Sequence, residues 1–301
     1  MRKVITLAVL FVIATSVAFA QTRSEFTVGG DKPEYSGRVV TEIQRWDYLV
    51  SDYGFGVAIA YEGIGAGNLW ISDWGASYGF YEHDRDGTVL SGFIPAIDDG
   101  STQDCAYMID DELWVVGYYY DNRIDFYDDA GIVGSSVGPP GWGEPWGVAY
   151  SNEDNNLIYV GQSDYIAYGA YVDYGTDVTW TELHVGDGVG NFTGLGYYAP
   201  SRTAEGRYLF GVARLSDPWT NTLYVFNVND VGVPDVVNPA YTFDLNSFLD
   251  PDGSIAGCEW DGEHLWLLDQ SEPDYVIEFD LGLDDTNITP ASLGNIKASF
   301  K

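Results

Sequence analysis

The sequence predicts an all-β chain, a single β-propeller most simply built from five blades of four antiparallel strands, with six blades as the alternative. Three observations predict it. A leucine-anchored strand pair recurs: Leu265–Gly282 (LWLLDQSEPDYVIEFDLG) has near-copies from Leu69 (LWISDWGASYGFYEHDRDG) and Leu113 (LWVVGYYYDNRIDFYDDAG), and weaker ones from Leu157 and Leu209. The anchor leucines are separated by 44, 44, 52 and 56 residues, and the first two steps match a propeller blade period of ~40–45 residues. The chain also carries 36 Gly, 23 Tyr, 10 Trp and 14 Phe, turn formers and half-buried strand formers, with few long amphipathic helical patterns.

Taken in order, the chain opens on Arg2 and Lys3, an apolar run over 4–19, and a small-x-small Ala18-Phe19-Ala20 before Gln21. That is the pattern of a secretory signal peptide over 1–20, cleaved after Ala20. The run is short for a membrane span and no other stretch qualifies, so the mature chain is expected to be exported, secreted or periplasmic, and monomeric. An N-terminal segment follows over 21–53. Within it Arg38–Trp46 (RVVTEIQRW) alternates, and it is assigned as the strand that closes the ring by joining the last blade, which removes an exposed edge. The propeller then runs over 54–301, its blades spanning about 54–95, 103–138, 145–186, 192–246 and 254–301. In the fifth blade 295–300 (NIKASF) is read as the outer strand. The longer steps are absorbed by loops such as SRTAEGR and VNDVGVPDVVNP. Six blades would require the N-terminal segment to supply four strands, and it is too short.

The formal net charge of the whole chain is −33. A phosphate backbone needs a cationic surface, so nucleic acid is excluded as a partner. Two readings of the acidity stand: a solvated surface that keeps an exported protein soluble, and Asp clusters that bind calcium, a hard cation with a preference for oxygen ligands. Asp84-Arg85-Asp86-Gly87 starts like a calcium loop but lacks the later acidic ligands, and Asp-Gly is ordinary turn chemistry there. The three histidines, His83, His184 and His264, have no HxH or HExxH spacing, which speaks against zinc. Cys105 and Cys258 precede the leucine anchors of two non-adjacent blades. They read as buried thiols, with a disulfide as the alternative in an exported chain.

The functional candidates lie on the face formed by the loops from second to third strands and from fourth strands to the next blade. They are Asp73, Trp74, Tyr119, Trp142, Glu144, Trp146, Asp164, Trp219 and Asp269. Aromatic faces beside carboxylates suit sugar rings, whose C–H face stacks while hydroxyls donate to carboxylates, and they suit cationic peptides equally. The same aromatics also serve as packing between blades. Trp70, Trp114 and Trp266 inside the repeats belong to the core. No GxSxG is present, and paired carboxylates carry little information in so acidic a chain.

Pro145–Val160 (PWGVAYSNEDNNLIYV) resembles the Pro-x-Gly-Val-Ala…Leu-Tyr-Val segment of NHL-type and gluconolactonase-like propellers. The resemblance covers one blade well and the others loosely, and it implies the fold. Gluconolactonase-like enzymes usually carry a metal-binding Asn between that Pro and Gly, where this chain has Trp146. Gly141-Trp142-Gly143-Glu144 is similar to the Gly-Trp-Gly segment of secreted five-bladed glutaminyl cyclotransferases. The sequence thus favours a non-catalytic binding module that holds a glycan, peptide or partner protein at the channel mouth. A metal-dependent hydrolase or lactonase, or a cyclotransferase-like enzyme with Glu144 or Asp269 as base or metal ligand, is the alternative. A structural surface or matrix protein is the third.

Overall fold

In the computed structural model, residues 40–48, 55–63, 67–74, 79–93, 102–118, 121–152, 156–172, 178–198, 206–216, 219–249, 253–270 and 273–283 are described. The segment read as a signal peptide, Tyr119 and the stretch 295–300 lie outside them. Among the described residues there is no helix.

Twenty strands form five four-stranded antiparallel sheets. β1 (Thr41–Asp47) comes first in the chain but belongs to the last blade. Blade one is β2 (Phe55–Tyr61), β3 (Leu69–Trp74), β4 (Phe80–His83) and β5 (Val89–Phe93). Blade two is β6 (Thr102–Met108), β7 (Leu113–Tyr118), β8 (Arg123–Asp128) and β9 (Gly131–Val137). Blade three is β10 (Gly147–Tyr150), β11 (Leu157–Gln162), β12 (Tyr165–Ala170) and β13 (Thr181–His184). Blade four is β14 (Asn191–Tyr198), β15 (Tyr208–Ser216), β16 (Trp219–Asn227) and β17 (Tyr241–Asp244). Blade five is β18 (Ile255–Trp260), β19 (Leu265–Asp269), β20 (Tyr275–Asp280) and, outermost, β1.

Ring closure is therefore made by the N-terminal strand, as its alternation predicts. Thr41 to Asp47 pair antiparallel with Asp280 to Tyr275. The outer edge of β20, assigned from sequence to 295–300 as well, is occupied by β1. β1 also reaches blade one: Gln44 Nε2 donates to Glu278 Oε2 at 2.7 Å and to the Arg85 carbonyl at 2.9 Å. Trp46 stacks on His83 with ring centroids 5.2 Å apart. The closing strand thus ties the last blade to the first.

The inner strands β2, β6, β10, β14 and β18 pack side by side in a ring, β18 returning to β2. Between successive blades lie five apolar layers. One holds Val57, Trp70, Trp114 and Tyr127 between blades one and two. The next holds Met108, Phe126, Val148 and Ile158. A third holds Tyr159, Phe192, Tyr197 and Phe226, a fourth Phe210, Leu223, Trp260 and Phe279. The last holds Ile59, Leu69, Trp266 and Leu268 between blades five and one. The inner strands of each blade thus have apolar partners on both faces, and there alternation is replaced by continuous burial, as in β7, β10, β18 and β19.

The anchor leucines are alike in sequence position but not in phase. Leu69, Leu209 and Leu265 sit opposite Tyr61, Tyr197 and Trp260. Leu113 sits opposite Met108, one residue beyond Tyr107. A one-residue change of register exchanges the two faces of a strand. Trp114 consequently points back to blade one, where it meets Trp70 edge-on at 4.9 Å.

Candidate functional site

The inner strands are alike where they run out on one face of the ring. Tyr61, Tyr107, Tyr150, Tyr197 and Trp260 stand at, or one residue before, the ends of β2, β6, β10, β14 and β18. Each packs in the layer shared with the preceding blade. One residue earlier stand Ala60, Ala106, Ala149, Gly196 and Glu259; three residues earlier stand Ala58, Asp104, Gly147, Gly194 and Gly257. At both positions four blades have a small residue and one has a carboxylate.

The small residues have a steric cause. A Cβ on Gly194 would lie 2.7 Å from the backbone of Gly257 and Cys258, and one on Gly257 would lie 2.9 Å from the Ile59 nitrogen. Inner strands meet backbone to backbone, so the axis has no room for ordinary side chains. The two carboxylates that do enter it bind backbone donors of neighbouring blades. Asp104 Oδ2 accepts from the Val148 N–H at 2.8 Å and the Leu195 N–H at 2.9 Å, joining β6 to β10 and β14. Glu259 accepts from the backbone N–H groups of Trp260, Tyr197 and Tyr61, joining β18 to β14 and β2. Two acids thereby tie together all five inner strands.

Both are electrostatically abnormal. Burial drives the Asp104 carboxyl well above the usual carboxylate range, against the pull of its backbone donors, and the nearby charge of Glu259 adds to the rise. Burial likewise pushes Glu259 up to about 8; its three backbone donors oppose the shift and Asp261 reinforces it. No Lys or Arg bonds Glu259 among the described residues. Asp104 Oδ1 meets no hydrogen-bond partner among them either, which a neutral carboxyl tolerates better than a carboxylate. Cys105 and Cys258 adjoin these acids on β6 and β18. They are free and buried, as the sequence reading favours. Burial first, and the two carboxylates second, hold both thiols well above their usual range, which keeps them unreactive.

Glu259 forms the floor of an open depression of about 460 Å³ on the axis, rimmed by Tyr61, Tyr150, Tyr197, Tyr198 and Trp260. Blades one, three, four and five each supply a ring. Blade two supplies Ile109, whose N–H is held by Asn152 Oδ1 at 2.7 Å. The walls are braced from behind: Trp260 stacks on Phe210 at 5.0 Å with an 8° interplanar angle, and Tyr197 stacks on Tyr159 at 5.4 Å. Trp260 is 6% exposed, and its Nε1–H has no acceptor among the described residues. At one side Asp261 is fully engaged. Its Oδ1 accepts from the backbone of Glu263 and His264, and its Oδ2 from Trp266 Nε1 at 2.7 Å and from Arg85 at 2.6 Å.

The residues selected from sequence belong to the opposite face, and the structure distributes them among separate local arrangements. Asp73 and Trp74 lie in strand β3 rather than in a loop, opposite Gly56 and Phe55. Trp219 begins β16, paired with Ser216. These hairpins extend further than their turn-forming residues suggest, because a strand continues while a partner remains to bond it. Glu144 and Trp146 do meet: Trp146 Nε1 donates to Glu144 Oε2 at 2.9 Å. Trp142 packs against the layer between blades two and three. Asp164 sits at the β11–β12 turn, where its Oδ1 accepts from the Gly190 N–H at 3.1 Å. Asp269 ends β19 and is buried. The depression was missed because Glu259 is one acid among 46 Asp and Glu. It becomes visible only when the inner strands are aligned on their terminal aromatics.

Two groups have metal-ligand types within reach of one another: Asp164, His184 and Asp187, and Asp261, His264 and Glu278. The first lies on an exposed turn, with His184 Nε2 3.2 Å from an almost wholly exposed Asp187. In the second the guanidinium of Arg85 already supplies the cation to Asp261, and His264 Nδ1 and Glu278 Oε1 bond each other at 2.7 Å. Asp84, the first residue of the calcium-like stretch, spends Oδ1 on the N–H groups of Asp86 and Thr88, with Gly87 at φ 84°. That is a turn, as its chemistry predicts.

No family model and no curated protein matches the chain. Solved structures with a similar course include virginiamycin B lyase from Staphylococcus aureus, at 12% identity and a TM-score of 0.44 over 81% of this chain and 100% of that one. A protein of unknown function from Bacteroides caccae is also similar, at 12% identity and a TM-score of 0.43 over 74% of this chain and 73% of that one. Both are likenesses of fold at most, and the functional reading rests on the residues of this chain.

Proposed function

We propose that this propeller is an exported, monomeric, non-catalytic binding module that seats a small polar ligand, best a sugar ring of a glycan, in the depression over Glu259. One observation carries the reading: rings from four blades converge on the axis around one protonatable carboxyl, beside an indole N–H with no acceptor. Aromatic faces stack on sugar C–H surfaces, a neutral carboxyl both donates and accepts, and the indole N–H seeks a hydroxyl oxygen. A peptide or partner protein, also compatible with such chemistry, would require a contact of roughly 1,200 Å² or more extending beyond the rim. Export rests on Arg2, Lys3, the apolar run 4–19 and Ala18-Phe19-Ala20.

The test is an NMR titration of the chain from Gln21 with mono- and disaccharides. Shifts centred on the Trp260 indole and the Tyr198 ring, an affinity loss of roughly tenfold or more for Tyr198→Ala, and no change for Trp146→Ala are expected. Shifts centred on Trp146 and Glu144 instead would move the site to the other face and overturn the reading.

A second reading has one observation in its favour. A buried carboxyl pushed up to about 8 is suited to general acid catalysis near neutral pH. A hydrolase or cyclotransferase would then use Glu259 in place of Glu144 or Asp269. Turnover of a bound glycan, abolished by Glu259→Gln with binding retained, would establish it.

A further inference from the structure

We propose that the ligand of this depression carries an amine beside its hydroxyls, so that the seat selects an amino sugar or amino alcohol over the neutral sugar. The inference deepens the binding reading above and rests on it.

Three observations point the same way. First, Glu259 is held by backbone N–H groups alone, from β2, β14 and β18. These fix its position without neutralising its charge. The charged groups that bear on it are Asp261 beside it on the chain and Asp104 from β6, both acidic. The remaining titratable groups around it are Tyr61 from β2, Tyr150 from β10, Tyr197 and Tyr198 from β14, and the buried thiols of Cys105 and Cys258. Arg85, at the side of the depression, is committed to Asp261. The floor is thus an acid to which the described residues supply no cationic partner, in a chain of net charge −33 that concentrates cations around it. Second, the walls are aromatic side chains. The same corner already shows what they accept: the Arg85 guanidinium lies over the Tyr61 ring, 5.9 Å from its centroid. Third, the buried Nε1–H of Trp260, a residue that lines the depression, lacks an acceptor among the described residues, so an ammonium alone would leave that donor unpaired. A ligand with both an ammonium and a hydroxyl satisfies carboxylate, rings and indole together.

Binding then displaces a proton. The Glu259 carboxylic acid loses its proton to the buffer, and the resulting carboxylate pairs with the ligand ammonium, which keeps all of its own protons. The neutral sugar makes no such demand.

Isothermal titration of the chain from Gln21 at pH 7, with glucosamine, N-acetylglucosamine, glucose and ethanolamine in two buffers of different ionisation enthalpy, decides this. Glucosamine is expected to bind roughly tenfold or more tighter than glucose or N-acetylglucosamine. Its heat should change with buffer in the sense of proton release, and the heats of the neutral sugars should not. Glu259→Gln should bring the sugars within about twofold of one another and abolish the buffer dependence. If that variant fails to fold, the wild-type comparison still decides. Equal affinities with no proton release overturn the amine inference while leaving the depression as a sugar seat. No binding by any of the four, with the Trp260 indole resonance unmoved, overturns both.

Discussion

The two mouths of the propeller are built from the same kinds of residue and differ in what those residues are attached to. On the face chosen from sequence, acids and aromatics sit at turns and strand ends and find partners nearby: Trp146 with Glu144, Asp164 with the Gly190 N–H, His184 with Asp187. On the other face the acids reach inward from β6 and β18 and bond backbone groups of other blades. Among the described residues, the second gathers one element from every blade onto one point. An acidic side chain becomes informative when it occupies a position whose equivalents are forced to be small.

The largest difference between axis and rim is expected in stability. Asp104→Ala would strand the Val148 and Leu195 N–H groups, each buried with no water to replace the lost acceptor. At about 1–3 kcal/mol per orphaned donor, the loss should be roughly 3–5 kcal/mol. Asp164→Ala on the rim leaves a partly buried donor that solvent reaches and should cost about 1 kcal/mol or less. Urea unfolding of the two variants measures both. Comparable losses would mean that the axial acid is not the tie between blades that its two bonds imply.

Much of the architecture can be read from the chain itself. The anchor leucines locate five second strands, and the alternation of Arg38–Trp46 identifies the closing strand. What escapes is phase. Leu69-Trp70 and Leu113-Trp114 are the same dipeptide, yet they face opposite neighbours because the β6–β7 hairpin pairs one residue further along. Hairpin length sets that register, and the hydrophobic pattern of a strand buried on both faces gives no help in finding it. The candidate site escapes for a related reason. Glu259 stands where Ala60, Ala106, Ala149 and Gly196 stand in the other blades, a comparison available only once the inner strands are in register. Turn composition, by contrast, overstates loops: Asp73, Trp74 and Trp219 look like turn residues and continue their strands.

The next effect in size is a pH dependence that belongs to the axis alone. Glu259 is raised in the folded protein, so the native state keeps a proton that the unfolded chain has released. Stability is then fully present below the unfolded value near 4.5 and is lost as pH rises toward about 8. Asp104, raised for the same reason, acts in the same direction. Over roughly pH 5.5 to 8 the Glu259 contribution should be on the order of 3 kcal/mol. Glu259→Gln, which cannot titrate, should flatten that part of the slope and leave the part due to Asp104. A wild-type stability that stays level or rises over this range would show that Glu259 is charged in the folded state.

The smallest effect sharpens the comparison from the rim. Trp146→Phe keeps an aromatic ring but removes the N–H that Glu144 accepts at 2.9 Å. Both residues are only partly buried, so water replaces the lost donor and the change should be about 0.5–1 kcal/mol. It should also be independent of pH between roughly 5.5 and 8, in contrast to the axial acid. The same variant should leave sugar affinity at the depression within about twofold of wild type, since Trp146 precedes β10 at its opposite end. A loss larger than that, with stability unchanged, would connect the two mouths and reinstate the Glu144–Trp146 pair as part of the ligand seat.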